Sequence, residues 1–102
     1  MTDNCLVLVG EVQKAPKVAI TPAGIAHCQF PIEHRSMQME EGMSRQAYAR
    51  MQVVATGQWS QNLSRELVVG SKVKVTGFIN RHESRNGNPI LVLHAQHIEI
   101  VN

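Results

Sequence analysis

Three stretches of this chain alternate apolar and polar side chains with a period of two. From Gly24 to Arg35, Ala26, Cys28, Phe30 and Ile32 share one parity, while His27, Gln29, Glu33 and Arg35 hold the other. From Arg45 to Gly57, Ala47, Ala49, Met51, Val53 and Ala55 alternate with Gln46, Tyr48, Arg50, Gln52 and Thr56, and Val54 alone breaks the pattern. From Lys72 to Arg81, Val73, Val75, Gly77 and Ile79 alternate with Lys72, Lys74, Thr76, Phe78 and Asn80. Successive side chains of a strand leave opposite faces, so these segments read as half-buried antiparallel strands. Leu6 to Val12 and Ile90 to Val101 are apolar on both faces for much of their length, which predicts strands covered by the core and by another layer or chain. Five strands result, near 4–14, 24–36, 44–57, 71–82 and 89–101.

Turn chemistry separates them. Ala15-Pro16 and Thr21-Pro22-Ala23-Gly24 bracket the first connection, and Met39-Glu40-Glu41-Gly42 marks the second. Arg85-Asn86-Gly87-Asn88-Pro89 marks the last, with Asn-Gly as the strongest hairpin signal in the chain. One short helix is predicted over Ser60–Val69, with Ser60 as its cap, Leu63, Leu67 and Val68 on its apolar side and Gly70 as its stop. Three strands, a short helix and two strands match an all-β, five-stranded Greek-key OB-fold barrel with its helix between strands 3 and 4. An SH3-like barrel lacks that helix, and an immunoglobulin sandwich wants seven strands. No linker or repeat divides the chain, so residues 1–102 are read as one domain.

Composition fits such a domain. Hydrophobic residues make up 43% and charged ones 18%, which excludes a disordered solvating chain. The longest apolar run, Leu6-Val7-Leu8-Val9, falls far short of the roughly 20 residues of a membrane helix. Met1-Thr2-Asp3-Asn4 carries an acid and no basic group, so no targeting signal is read and a cytoplasmic location is expected. Cys5 and Cys28 are then read as reduced thiols.

No catalytic constellation is visible. The chain has no phosphate-binding loop, no dinucleotide fingerprint and no nucleophile elbow. His94 and His97 are spaced for a metal on a helix, but a regular strand would point them to opposite faces. The same objection meets His27 beside Cys28. No catalysis, cofactor, metal or small-molecule substrate is expected.

What remains is a surface. Arg35, Tyr48 and Arg50 lie on the polar side of the second and third strands, with Lys72, Lys74 and Phe78 on the fourth. Loops and strand ends add Lys14, Lys17, Arg45, Arg81 and Arg85. Cationic groups neutralise phosphates, and an exposed ring on a rigid strand gives a base something to stack on. OB barrels use the face of strands 2 and 3 for nucleic acid, flanked by the 1–2 and 4–5 loops. Aromatics are only 4% of the chain, so any stacking site is small.

Leu6-Val7-Leu8-Val9-Gly10, Pro22-Ala23-Gly24-Ile25, His27-Cys28-Gln29-Phe30 and Glu33-His34-Arg35-Ser36 resemble the family of primosomal replication protein N. This PriB family is the B component of the bacterial replication-restart primosome and is related to bacterial single-strand binding proteins. Arg45-Gln46-Ala47, Gly77-Phe78-Ile79, Asn86-Gly87 and Val92-Leu93-His94-Ala95 extend the resemblance over essentially the whole chain. It implies a homodimeric OB fold that binds single-stranded DNA non-specifically beside the PriA helicase and the DnaT protein at stalled forks. Carried onto this chain, the DNA-contacting positions are Lys17, Arg35, Met43, Arg45, Tyr48, Arg81 and Arg85. The family commonly has Trp where Tyr48 stands and can have Phe where Met43 stands. Its hairpin loop is usually Lys-rich, whereas Glu83 and Ser84 intervene here between Arg81 and Arg85. Moderate affinity is therefore implied. First strands pair across a twofold axis in this family, which places Leu6, Val7, Leu8 and Val9 in a dimer interface.

The net charge is only +2, but residues 35–85 hold eight of the ten basic groups and four of the eight acids, a local +4. Two other readings fit an OB fold: a general replisome single-strand binding protein, or a protein-interaction adaptor. The general replisome protein carries a flexible linker and acidic tail, and the sequence read here closes on Ile100-Val101-Asn102.

Overall fold

The three alternating segments supply the inside of a barrel. In a computed structural model that describes residues 3–101, Cys28, Phe30, Ile32, Val53, Ala55, Val73 and Val75 are completely buried, joined by Val12 and Leu93. Phe30 is the largest of them, and its truncation to Ala would cost about 3–5 kcal/mol. Met1, Thr2 and Asn102, which the targeting and single-domain readings include, lie outside the described residues.

The elements run β1 (Leu6–Val12), β2 (Lys17–Ile20), β3 (Ala26–Glu40), β4 (Met43–Thr56), α1 (Trp59–Glu66), β5 (Lys72–Glu83) and β6 (Pro89–Ile100). The strand order is β1-β5-β6-β4-β3-β2, and an additional β1–β3 pairing closes five of the strands into a barrel. The expected OB architecture is present, with α1 between the third and fourth barrel strands. Four neighbouring barrel pairs are antiparallel, whereas β4 and β6 run parallel, from Gln52 opposite Val92 to Ala55 opposite Ala95. Among the described residues no helix is long and apolar enough to cross a membrane.

Closure depends on Gly10. A Cβ there would sit 3.0 Å from the Glu33 carbonyl oxygen and from Ile32 Cβ, where β1 passes from β5 onto β3. Gly77 is more tightly constrained, because its Cβ would overlap the His94 carbonyl oxygen and lie 2.8 Å from the carbonyl carbon. It faces a bulge in which Thr76 pairs with His97 but Gly77 pairs with Ala95, leaving Gln96 without a partner.

Five expectations need correction. A sixth strand, β2, lies in the first connection and pairs with β3 from Lys17 opposite Gln29 to Ile20 opposite Ala26. All four of its residues are exposed, so no burial pattern marks it. The second predicted strand runs four residues further than expected, to Glu40, and the third starts one residue earlier, at Met43, on either side of Glu41-Gly42. These two residues have φ of 52° and 73°, the two positive values that a tight primed hairpin turn requires. The Asn-Gly pair instead sits in a wider loop. Gly87, at φ 79°, donates its N–H to the Ser84 carbonyl, and the Ser84 N–H donates to the Asn88 carbonyl.

The helix is also shorter and earlier than the predicted 60–69. Ser60 lies inside it, buried, donating its hydroxyl to the Gly57 carbonyl at 2.6 Å, and Gln58 is the cap residue without a side-chain bond. Leu63 and Leu67 are buried as expected, but Val68 is exposed. Finally, the bulge changes the parity of β6. The inward residues are Leu93 and Ala95 before it and Ile98 after it, so His94 and His97 share a side instead of opposing one another.

Candidate nucleic-acid interface

Cross-strand pairs of a sheet share a face, so the β3–β4 register sorts the side chains of the ribbon. His27, Gln29, Pro31, Glu33, Arg35, Met37 and Met39 stand opposite Thr56, Val54, Gln52, Arg50, Tyr48, Gln46 and Ser44 on the outer face. Arg35, Tyr48 and Arg50 are therefore brought together as expected. Lys17 joins them through its pairing with Gln29. Val54, which breaks the alternation, lies on this outer face opposite Gln29 and is only 9% exposed.

Glu33 is absent from the expected site residues, yet it organises their centre. Arg35 Nε donates to Glu33 Oε1 at 2.9 Å, and the Tyr48 hydroxyl donates to Glu33 Oε2 at 3.0 Å. The Arg35 guanidinium carbon lies 4.8 Å from the Tyr48 ring centroid. The Arg35 bond, then the Tyr48 bond, holds the Glu33 carboxyl below the usual carboxylate range. Arg35 is raised in turn, chiefly by the same bond. Tyr48 remains 55% exposed, so its ring is held in orientation but still accessible.

Beside this centre, Lys14, Lys17 and Arg50 line a hollow of about 290 Å³ floored by Gln29, Pro31 and Gln52. Three cations and no carboxylate converge there, which suits an anion. The sequence counts Lys14 among the loop cations of the surface, but the resemblance does not carry it over as a DNA-contacting position.

Met43 and Arg45 are placed differently. They stand opposite Glu40 and Gln38, with the parity of Ala47 and Ala49, so they occupy the reverse face of the ribbon from Tyr48. Every residue from Met37 to Gln46 is exposed, because the ribbon runs past the barrel as an arm. Arg45 is held there by Glu40, Nε to Oε1 at 3.1 Å. Arg81, opposite Leu91, leaves β5 on the side away from His82, and Arg85 sits in the hairpin turn.

The outer face continues onto β5 and β6, where the sequence alone marks the histidines as ordinary strand positions. His82 Nε2 and His94 Nε2 lie 2.8 Å apart, and Phe78 stacks on His94 with centroids 5.0 Å apart and planes within 5°. Phe78 thus belongs to the outer face and not to the core. Trp59 begins α1, partly exposed, donating Nε1–H to the Thr56 carbonyl.

On β1, Leu6 and Leu8 pack against the chain's own core, while Val7 and Val9 point outward, 51% and 42% exposed. His34 Nδ1 bonds the Val9 carbonyl at 2.6 Å, and its Nε2 meets Ser36 Oγ at 2.7 Å.

A family described as another single-strand binding protein family matches this chain over residues 4–97. The replication restart protein PriB of Photorhabdus laumondii is 54% identical over 102 residues, covering all of this chain and 97% of that protein. Among solved structures, the priB protein of Ralstonia solanacearum superposes with a TM-score of 0.82 at 22% identity, over 99% of this chain and 100% of that one. A small single-stranded DNA-binding protein from Streptomyces coelicolor gives 0.79 at 21% identity, over 99% and 95%. At those identities the two structures speak to the fold, which is the barrel described above.

Proposed function

Because this chain belongs to the PriB family of replication restart proteins, we propose that it is a non-catalytic single-stranded DNA-binding protein acting in replication restart. The observation that carries this reading is the outer face of β3 and β4, where an accessible Tyr48 ring sits among Arg35, Arg50 and Lys17 on rigid strands. Backbone cations with a stacking ring bind a strand without reading its sequence, since every base has a π-face. Phosphates would lie along Lys14, Lys17 and Arg50, and a base would stack on Tyr48 in the place partly taken by Arg35. Arg45 and Met43 would contact the strand only where it wraps around the arm, and Arg81 and Arg85 only where it reaches the β5–β6 hairpin.

The protein would act in the cytoplasm as a homodimer, stabilising the assembly of the PriA helicase and the DnaT protein at stalled forks. Support for the dimer is the outward pair Val7 and Val9, whose exposure leaves the two-sided apolar character of β1 unsatisfied within one chain. Titration of a fluorescent oligo-dT at low salt tests the binding role. Saturable binding that weakens steeply with salt is expected, and absence of binding would overturn it.

A further inference from the structure

A groove of about 440 Å³ crosses the outer face between the β3–β4 ribbon and the β5–β6 ribbon. It shares Gln29 and Gln52 with the hollow of Lys14, Lys17 and Arg50, so the two form one continuous path. Yet no lysine or arginine lines the groove among the described residues. Its titratable groups are His27 from β3, His82 and Glu83 from β5 and His94 from β6, while β4 contributes only Gln52, Val54 and Thr56.

The two histidines on β5 and β6 meet end to end. Their centroids are 5.0 Å apart with planes 27° apart, and a 2.8 Å Nε2–Nε2 separation places the shortest approach along the ring axes. One Nε2–H must donate and the other Nε2 must accept. Such a pair is neutral or carries one positive charge, because a second would set two N–H groups against each other. The singly charged form is favoured by its charge-assisted bond. Burial, followed by the neighbouring His82 and His27, pushes His94 below the ordinary imidazole value. The partly buried His94, its plane fixed by Phe78, is placed as the acceptor, and the exposed His82 as the donor. His27 is engaged with Thr56 Oγ1 at 3.1 Å, across the groove. Glu83 is the only carboxylate of the lining and lies at an exposed position.

We propose that this groove is a nucleotide subsite of the single-stranded DNA path, charged by one proton shared between His82 and His94, so that strand binding takes up a proton. This rests on the DNA-binding reading above. A phosphodiester entering from the Arg50 hollow would meet a groove without fixed cations and would draw that proton onto the histidine pair. The site thus adds a phosphate contact in mildly acidic conditions that is absent in alkaline ones.

Anisotropy titrations of labelled oligo-dT at constant ionic strength, near about pH 6 and about pH 8, test it on wild type, His82→Gln and His94→Asn. Wild-type binding should tighten toward acid, by at most about tenfold per pH unit for one proton. The log–log salt slope should steepen by about 0.7 at the lower pH, one phosphate's worth. Both differences should shrink in the two variants. Wild type and both variants showing the same pH dependence would overturn the subsite while leaving DNA binding intact. No binding at either pH would overturn the DNA-binding reading itself.

Discussion

The guanidinium carbon of Arg35 stands 4.8 Å from the ring centroid of Tyr48 on the neighbouring strand. Glu33 holds both in place, accepting from Arg35 Nε at 2.9 Å and from the Tyr48 hydroxyl at 3.0 Å. An acid at the centre of a cationic face both orients the contact groups and opposes a phosphate. On the proposed function the arrangement is a poised one, with the two residues that would meet a strand tied to each other until it arrives.

Neutralising Glu33 should therefore strengthen DNA binding. Glu33→Gln removes a charge and loosens the tie, and oligo-dT affinity at low salt should rise by roughly two- to tenfold. The pH dependence has a definite sign. The folded carboxyl is held below its unfolded value, so the tie is intact above the unfolded value and is lost as pH falls through the folded one. Arg35 side-chain resonances followed by NMR through that acidic window should shift in wild type and stay flat in Glu33→Gln.

Removing one cation from the hollow of Lys14, Lys17 and Arg50 should weaken binding equally for all sequences. Arg50→Ala or Lys17→Ala should flatten the log–log salt dependence by about 0.7 for each phosphate left unneutralised. Unchanged slopes in both would move the phosphate path elsewhere.

The two thiols should differ sharply in reactivity. Cys5 is exposed, whereas Cys28 is buried in the barrel and its thiol is pushed up by that burial. Thiolate is the reactive form, so a thiol reagent should label one cysteine in the native protein and the second only on unfolding. Mass spectrometry after timed labelling reads this directly.

Gly77→Ala should be strongly destabilising, because its Cβ would come within 2.8 Å of the His94 carbonyl carbon on the next strand. A drop in stability of more than about 2 kcal/mol, seen as a lower denaturant midpoint, is expected from forcing the bulge apart. On β1, Val7→Lys should shift the mass seen in sedimentation toward one 11.3 kDa chain if Val7 lies between protomers.

Much of this fold is written in the alternation of a few residues. The parity of Phe30, Val53 and Val75 sets the inner face, and the same parity puts Arg35, Tyr48 and Arg50 together on the other. Where side chains carry no burial pattern, the sequence is silent. The β2 strand and the arm from Met37 to Gln46 are held by backbone pairing with every side chain exposed, so nothing in their composition distinguishes strand from loop. The β6 bulge is likewise invisible until Gly77 is seen pressed against His94, and it reverses the side on which His97 lies. Glu33 escapes notice because a lone acid on a strand looks like a solubilising group, and only the register places it between Arg35 and Tyr48. The His82–His94 pair is twelve residues apart in sequence and meets only through the β5–β6 ladder.

The central claim is that Tyr48 and Arg35 form the contact point for single-stranded DNA. Oligo-dT affinity of wild type, Tyr48→Ala and Arg35→Ala, measured side by side at fixed low salt, tests it most directly. Removing the stacking ring should cost about 1–3 kcal/mol, which is roughly 5–150-fold in Kd, and removing the Arg35 guanidinium should also flatten the salt slope. Equal affinity in all three proteins would contradict the account.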